Sequence, residues 1–399
     1  MISVGIDVSK GKSTICMLKP YGELIKKPFE VEHTENELED LVRLLLSFDT
    51  EIRVVLEATG IYHIPVLNYL QENQIFVAVI NPYEMKKYSY RGLRRIKTDK
   101  HDSITIANFG IDNWFHLKNH ELSSKIYSEL KFLGRQYRHY MKLRVDSVLG
   151  LTHLLDHTMP GIKGILTGWT EYNGKDKLSD FIEEFWHYDL ITRQTENQFR
   201  KSYSDWAKKK GYYQSHTKAI EIYKLAKRSI PILSSQTPSV RLLILEAVKV
   251  LRNITNTLMN ILSQMNELAK KLPEYPIVCS MSGVGRVLSL KLIAEIGDVR
   301  RFHSGKALVA YAGIDAPPYQ SGQFIGTKRK ISKRGSSNLR KIGYEVMRCL
   351  KTLKNPTDRK VYDFIIKKEN EGKAKRVAKI AGLNKFLRIY YARVLEAYQ

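Results

Sequence analysis

Cysteine is scarce in this chain: three residues in 399, Cys16, Cys279 and Cys349, far apart and without a CxxC pair. That excludes a disulfide framework and a thiolate metal cluster. No apolar run is long enough to span a bilayer, and the opening MISVGIDVSK lacks the shape of a signal peptide. A reducing, cytoplasmic location is the expectation. No GxxxxGK[ST] loop occurs, so the phosphate cradle of an ATP-driven enzyme is missing. The eleven histidines, His63 and His101 among them, show no metal-ligand spacing. Acidic residues are in deficit, 41 against 65 Lys+Arg, a net charge of +24. Such an excess speaks about partners rather than fold, and nucleic acid is the commonest polyanion. An anionic membrane surface would need an amphipathic or lipidated anchor, and neither is found.

The charge is uneven. Residues 321–399 hold 21 Lys+Arg and 6 Asp+Glu, so +15 of the excess lies there. Hydrophobic residues make up 43% of the chain, enough for real cores, and its length suggests two or three domains. The first hundred residues alternate between strand and helix patterns. Ile2 to Val8, Ser13 to Leu18 and Leu24 to Val31 read as three strands joined by tight turns, Lys10-Gly11-Lys12 and Pro20-Tyr21-Gly22. A helix from Glu35 to Leu46, a strand to Glu57, a helix to Asn73 and a strand from Ile75 to Ile80 follow. Three strands, then helix, strand, helix, strand is the order of a ribonuclease H-like α/β fold.

The remainder reads as helical. A basic helical pattern from Leu122 to Leu155 repeats Ile126, Leu130, Leu133 and Tyr137. Residues 161–239 are rich in Trp and Tyr and carry no assignable chemistry. Ile244, Ala247, Leu251, Ile254, Leu258, Ile261, Met265, Leu268 and Leu272 then step by three and four, after Thr237-Pro238 and before Pro273. That seam suits a coiled coil with another subunit; a long core helix inside one domain is the alternative. A compact, Gly-punctuated basic region, 277–399, opens with Ser282-Gly283-Val284-Gly285.

Four carboxylates carry the chemistry. Asp7 ends the first strand, where an open α/β sheet builds its sites, and Glu57 holds the same position on the fourth. Asp99 and Asp102 stand three apart at a helix start, able to face one side. Converging, they would repel unless divalent cations neutralised them, and an oxygen-only set selects Mg2+ or Mn2+. A pair of such ions clamps both oxygens of an in-line phosphoryl displacement. Each carboxylate alone reads more readily as a turn or helix cap, and it is the set that points to a metal site. Seven cations flank the set: Lys86, Lys87, Arg91, Arg94, Arg95, Lys97 and Lys100, placed to hold a phosphodiester beside the metals. Tyr88 and Tyr90 suit base stacking or an ordinary surface equally well, and His101 is at most a supporting group.

GIDVSK around Asp7, VLEATG around Glu57 and KTDKHD around Asp99 and Asp102 resemble the DEDD motif of the insertion-sequence-110 family of bacterial transposases. SMSGVGRVLSLKLIAEIGDVRRFHSGKALVAYAGIDAPPYQSG and KRGSSNLRK resemble the family's C-terminal transposase domain, with a helix-hairpin-helix-like Gly-Val-Gly turn. The resemblance covers roughly 1–158 and 240–360. It implies a RuvC-like N-terminal domain, a serine nucleophile that joins covalently to DNA, and a structured guide (bridge) RNA from the same element. The matching serine is Ser321, in Tyr319-Gln320-Ser321-Gly322. The residues themselves place it on a turn after Pro317-Pro318, with Lys328, Arg329, Lys330, Lys333 and Arg334 following to stabilise a pentavalent phosphate. Ser336 and Ser337 are competitors in what reads as a helix-capping turn.

The reading is therefore a transposase and site-specific recombinase acting on DNA. It has a RuvC-like catalytic domain at 1–158, a helical insert and coiled coil at 159–273, and a mainly α C-terminal transposase domain with a basic tail at 274–399. A homo-oligomer, dimer or tetramer, with a site assembled from two subunits, and a nucleoid location in a bacterium complete the expectation. The rivals are a two-metal junction-resolving nuclease that uses water, and a non-catalytic nucleic-acid-binding protein.

Overall fold

The computed structural model describes residues 1–89, 98–120, 124–166, 175–317 and 330–399, and between 317 and 330 only the backbone of 320–321 and 324–325. The chain forms two compact units, Met1–Leu122 and Ser123–Gln399. In the first, β1 (Ile2–Val8), β2 (Lys12–Leu18) and β3 (Leu24–Glu32) form a meander. Then come α1 (Glu35–Leu46), β4 (Ile52–Glu57), α2 (His63–Glu72), β5 (Val77–Ile80), α3 (Pro82–Ser89) and α4 (Asp99–Asp112). The sheet order is β3-β2-β1-β4-β5, antiparallel within the meander, with β4 parallel to β1 and to β5. This is the ribonuclease H-like, RuvC-like α/β arrangement expected from the sequence.

The two faces of β1 do different work. Ile2, Val4, Ile6 and Val8 join Ile15, Met17, Val54 and Leu56 in a core closed by Leu38, Leu41 and Leu45 of α1 and Val66 and Leu70 of α2. Ser3, Gly5 and Asp7 alternate onto the opposite face, where α4 lies. The helix sits very close. A Cβ on Gly5 would stand 2.2 Å from the Ser103 carbonyl oxygen and 2.3 Å from the Ala107 nitrogen. On the helix side, a Cβ on Gly110 would stand 2.1 Å from Ser3 Oγ. A glycine on each partner therefore lets α4 seat directly on β1.

Among the described residues the regular elements of the second unit are helices apart from a short hairpin. It begins with α5 (Lys125–Thr158), α6 (Ile162–Ile165), α7 (Lys177–Glu184), α8 (Tyr188–Thr192), α9 (Glu196–Lys209), α10 (His216–Arg228) and α11 (Pro238–Ala269). It continues with α12 (Glu274–Ser280), α13 (Arg286–Ile296), α14 (Gly305–Tyr311), β6 (Gln320–Ser321), β7 (Phe324–Ile325), α15 (Ser337–Thr352), α16 (Lys360–Asn370) and α17 (Lys375–Glu396). Two cores organise it. Tyr127 and Leu130 of α5 share one with Leu258 and Met265 of α11 and with α12 to α17. Leu151 and Leu155 share the other with Ile244 and Leu251 and with α6 to α10. The pairing of opposite ends makes α5 and α11 an antiparallel pair, each about 50 Å long at 1.5 Å per residue.

That pairing corrects one expectation. Ile244, Leu251, Leu258, Met265 and Leu272 are buried inside the chain, and Ala247, Ile254, Ile261 and Leu268 pack against the same two cores. The seam is consumed by α5 and its neighbours instead of being offered to another subunit. Residues 125–158, expected with the N-terminal domain, contribute side chains to both cores of the second unit. Most of the described aromatic residues of 161–239 are core: Phe181 meets Phe185 at 4.9 Å and Trp206 at 5.4 Å between ring centroids. The expected basic tail is likewise structural, since Leu383, Phe386, Leu387 and Tyr390 of α17 are buried.

Candidate active site

Strand register sets the first pair of carboxylates. Ile6 of β1 stands opposite Leu56 of β4 in a parallel ladder, so one residue further Asp7 and Glu57 come level at the C-terminal ends of neighbouring strands. Helix capping sets the second pair. Thr98 is the N-cap of α4, its hydroxyl accepting from the His101 backbone N–H at 3.2 Å, which puts Asp99 and Asp102 in the first turn. There the helix dipole favours negative charge. Asp102 directly precedes Ser103, whose carbonyl rests over Gly5, so the close seating of α4 brings this turn to Asp7.

The electrostatics show the result. Asp7, half-buried, has its pKa pushed up to about 6, first by desolvation and then by Asp102, Asp99 and Glu57. Glu57 is raised by burial and then by Asp102. Among the described residues none of the four side chains has a salt bridge or hydrogen bond. Nor does any group of three or more His, Cys, Asp or Glu among them stand gathered tightly enough to enclose a metal ion. The two observations describe one thing: carboxylates within Coulomb range of each other but open, with no cation in salt-bridge contact among the described residues. An oxygen-only, anionic, partnerless set fits a hard divalent cation, and binding requires the four to close on it.

The flanking cations divide. Lys86 and Lys87 are exposed at the end of α3, and Lys100 is exposed in the first turn of α4. Arg91, Arg94, Arg95, Lys97 and Tyr90 lie outside the described residues. Tyr88 is structural: its hydroxyl donates to Asp112 at 2.7 Å and its ring meets Phe109 edge-on at 5.2 Å. His101 is exposed.

Ser321 belongs to the second unit. Its backbone pairs with Phe324, and Gln320 with Ile325, in a two-stranded hairpin. The chain segments that carry this hairpin are locked together at their base. Ser332 N–H donates to the Asp315 carbonyl at 2.8 Å, Lys333 N–H to Gly313 at 3.0 Å and Ser336 N–H to Tyr311 at 2.6 Å. Gly335 lies so near Tyr311 that a Cβ would stand 2.1 Å from its carbonyl oxygen. Ser336 caps α15, accepting from Leu339 N–H at 3.1 Å while its hydroxyl donates to Glu295 at 2.5 Å. Lys330, Lys333 and Arg334 are exposed near this neck; Lys328 and Arg329 lie outside the described residues. The sequence reading missed Gly5 and Gly110, although small residues at 3 and 5 on one strand face were a visible signal.

A five-stranded sheet of this order with carboxylates at the ends of β1 and β4 and at the start of α4 defines a ribonuclease H-like domain with an acidic site. Residues 4–160 match the DEDD transposase family model of the IS110 group, and residues 275–363 match that of the Transposase IS116/IS110/IS902 family. The chain belongs to the IS110 family of transposases. Among curated proteins it is similar to the pilin gene-inverting protein of Moraxella bovis, 30% identical over 29% of this chain and 35% of that one. It is also similar to the transposase for insertion sequence element IS1111A of Coxiella burnetii, 33% identical over 24% of this chain and 27% of the relative. The matches thus span about a third of these relatives or less. Among solved structures, Thermus thermophilus RuvC is 14% identical, covering 31% of this chain and 100% of that one with a TM-score of 0.24. The fold assignment rests on the strand order above. No described helix is long and apolar enough to cross a membrane.

Proposed function

We propose that this chain is a DNA transposase and site-specific recombinase that cuts and rejoins strands through Asp7, Glu57, Asp99, Asp102 and Ser321. The observation that carries the reading is the carboxylate cluster: four acidic side chains without a salt bridge among the described residues, at the ends of two parallel strands and one helix start, with Asp7 and Glu57 raised by burial and by their acidic neighbours. Structural ion-pair networks do not explain it, because no cation is paired with it among the described residues. Family membership supports the same reading, as do relatives named for gene inversion and transposition.

In this reading the four carboxylates hold Mg2+, or Mn2+ in its place. Bound there, the ions neutralise the phosphodiester and stabilise the charge that develops in the displacement. Lys86, Lys87, Arg91, Arg94, Arg95, Lys97 and Lys100 hold the strand's phosphates beside the carboxylates. Ser321 Oγ gives up its proton and forms a bond to phosphorus while the bond to one DNA oxygen breaks, and that oxygen leaves as a hydroxyl. The phosphoserine ester keeps the bond energy, so a DNA hydroxyl can later attack it and release the serine. Lys328, Arg329, Lys330, Lys333 and Arg334 stabilise the phosphorane charge. An RNA from the same element guides the choice of DNA, and the active form is a homo-oligomer in the cytoplasm. The unit Met1–Leu122 acts as the catalytic segment that carries the carboxylates, and Ser123–Gln399 as the helical transposase segment that carries Ser321.

The test is Asp7→Asn. Wild type should cut DNA with Mg2+ and stop with a chelator. Asp7→Asn should bind DNA within about twofold of wild type and lose cutting by at least roughly a thousandfold, the scale expected for loss of metal-ion charge stabilisation. Undiminished cutting by Asp7→Asn sinks the carboxylate site; binding without cutting in both proteins leaves only a nucleic-acid-binding module.

A further inference from the structure

The second unit contains a cavity of about 650 Å³ between α5, α13 and α15, with Lys379 of α17 at its edge. Eight Lys and Arg line it against two Glu. Glu345 pairs with Lys291 at 3.3 Å, while Glu295 accepts from Ser336 and keeps its charge within reach of Lys131. Lys351 is paired outward with Glu369 at 2.9 Å. Lys131, Arg135, Arg138, Lys341, Arg348 and Lys379 remain, and among the described residues none of them has a salt bridge. Lys131 is half-buried, and desolvation followed by neighbouring Arg301 holds its pKa below the ordinary lysine value. Lys131 and Lys379 are partly buried and the other four stand exposed around them, so the concavity gathers an excess of positive charge that Glu295 offsets only in part, a surface suited to a polyanion.

The walls between the cations are apolar. Met141, Leu288 and Ile342 line the same space. Inorganic phosphate would use the cations and leave these side chains idle. A duplex keeps its base faces stacked and is too wide to enter a cavity of this volume, which lies in the roughly 300–1,000 Å³ range of small-ligand sites. A nucleotide from an unpaired strand uses both, its base face against the apolar side chains and the flanking phosphates on the rim.

We propose that this cavity is a single-strand site, taking one or two unpaired nucleotides of the DNA on which the enzyme acts. It rests on the reading of the chain as a DNA-processing enzyme, but it is separate from the carboxylate site and needs no metal. Its role would be to hold a displaced or newly cut strand through phosphate contacts on α5 and α15.

The experiment uses the full chain in chelator and a fluorescein-labelled ten-residue oligothymidylate, read by anisotropy across a salt series. The double variant Arg135→Glu with Arg348→Glu reverses two exposed rim charges, and Lys208→Glu with Lys209→Glu reverses two exposed charges on α9 as a control. The rim variant should bind at least tenfold more weakly, with a log–log salt slope shallower by roughly 1.4, two phosphates at about 0.7 each. The control should bind within about twofold of wild type, and a blunt duplex should compete poorly. Wild-type affinity and slope in the rim variant overturn the proposal. So does equal weakening in the control, equal competition by duplex, or a preference for oligouridylate RNA over the DNA. Asp7→Asn must leave this affinity unchanged, which separates failure of the cavity from failure of the catalytic reading.

Discussion

Gly5 has room for a hydrogen atom under α4 and for nothing larger. Any Cβ there meets backbone atoms of Ser103 and Ala107, which have no rotamer to move, so Gly5→Ala must lift the helix from the sheet. Overpacking of this kind costs about 1–3 kcal/mol. Since the lift also moves Asp102 from Asp7, strand cutting should fall further than stability does. Chemical denaturation and a cutting assay on one preparation check this; an unchanged midpoint with full activity would show that α4 is not held as described. Asp7 itself gives a pH signature. Its folded pKa of about 6 lies above the ordinary 3.8. The folded metal-free protein therefore binds the more protons in that window, and stability falls as pH rises through it. Asp7→Asn removes a desolvated charge and, with it, the repulsion by Asp102, Asp99 and Glu57. Without metal at pH 7.5 it should melt above wild type by a margin worth about 1 kcal/mol, discounted for partial exposure. The difference should vanish near pH 3.5. A variant less stable than wild type at pH 7.5 would contradict an Asp7 charge that is desolvated and repelled in the folded state.

Among elements, α11 shows what a periodic stripe does and does not reveal. The three–four spacing and the Thr237-Pro238 start gave its existence and extent, since Pro238 opens the helix and it closes at Ala269. The stripe is silent about its partner, because an apolar seam packs equally well on a helix of the same chain or of another. The partner is α5, so Leu258→Ala should cost about 2–5 kcal/mol as a core cavity and leave the sedimentation coefficient unchanged. Dissociation into a folded monomer would contradict the intrachain pairing. The sheet was legible almost residue by residue, since β1, β4 and α1 carry complete apolar patterns on the face toward α1 and α2. The site was legible in its acids but not in its supports. Asp7, Glu57, Asp99 and Asp102 are chemically distinctive, whereas Gly5 and Gly110 matter only through a close approach made across a hundred residues of chain. The cations of the second unit were read as a charge total, and only folding gathers Lys131 of α5, Lys341 and Arg348 of α15 and Lys379 of α17 around one cavity.

For the whole molecule, a charge of +24 makes nucleic-acid binding steeply salt-dependent, with a slope of several units on log–log axes. If an RNA of the element is the guide, it should bind far better than a scrambled RNA of equal length at the same salt; equal affinities would leave only polyanion binding. The central claim, that the acidic site works with a serine nucleophile, is tested most directly by looking for the covalent intermediate. End-labelled DNA incubated with protein and Mg2+ is run on a denaturing gel. The wild type should give a slowly migrating band that protease removes. Ser321→Ala should lack it while still binding DNA, and Asp7→Ala should lack it through loss of the metal. A band that persists in Ser321→Ala would place the nucleophile elsewhere, and cut DNA without any adduct in the wild type would establish water as the attacking group.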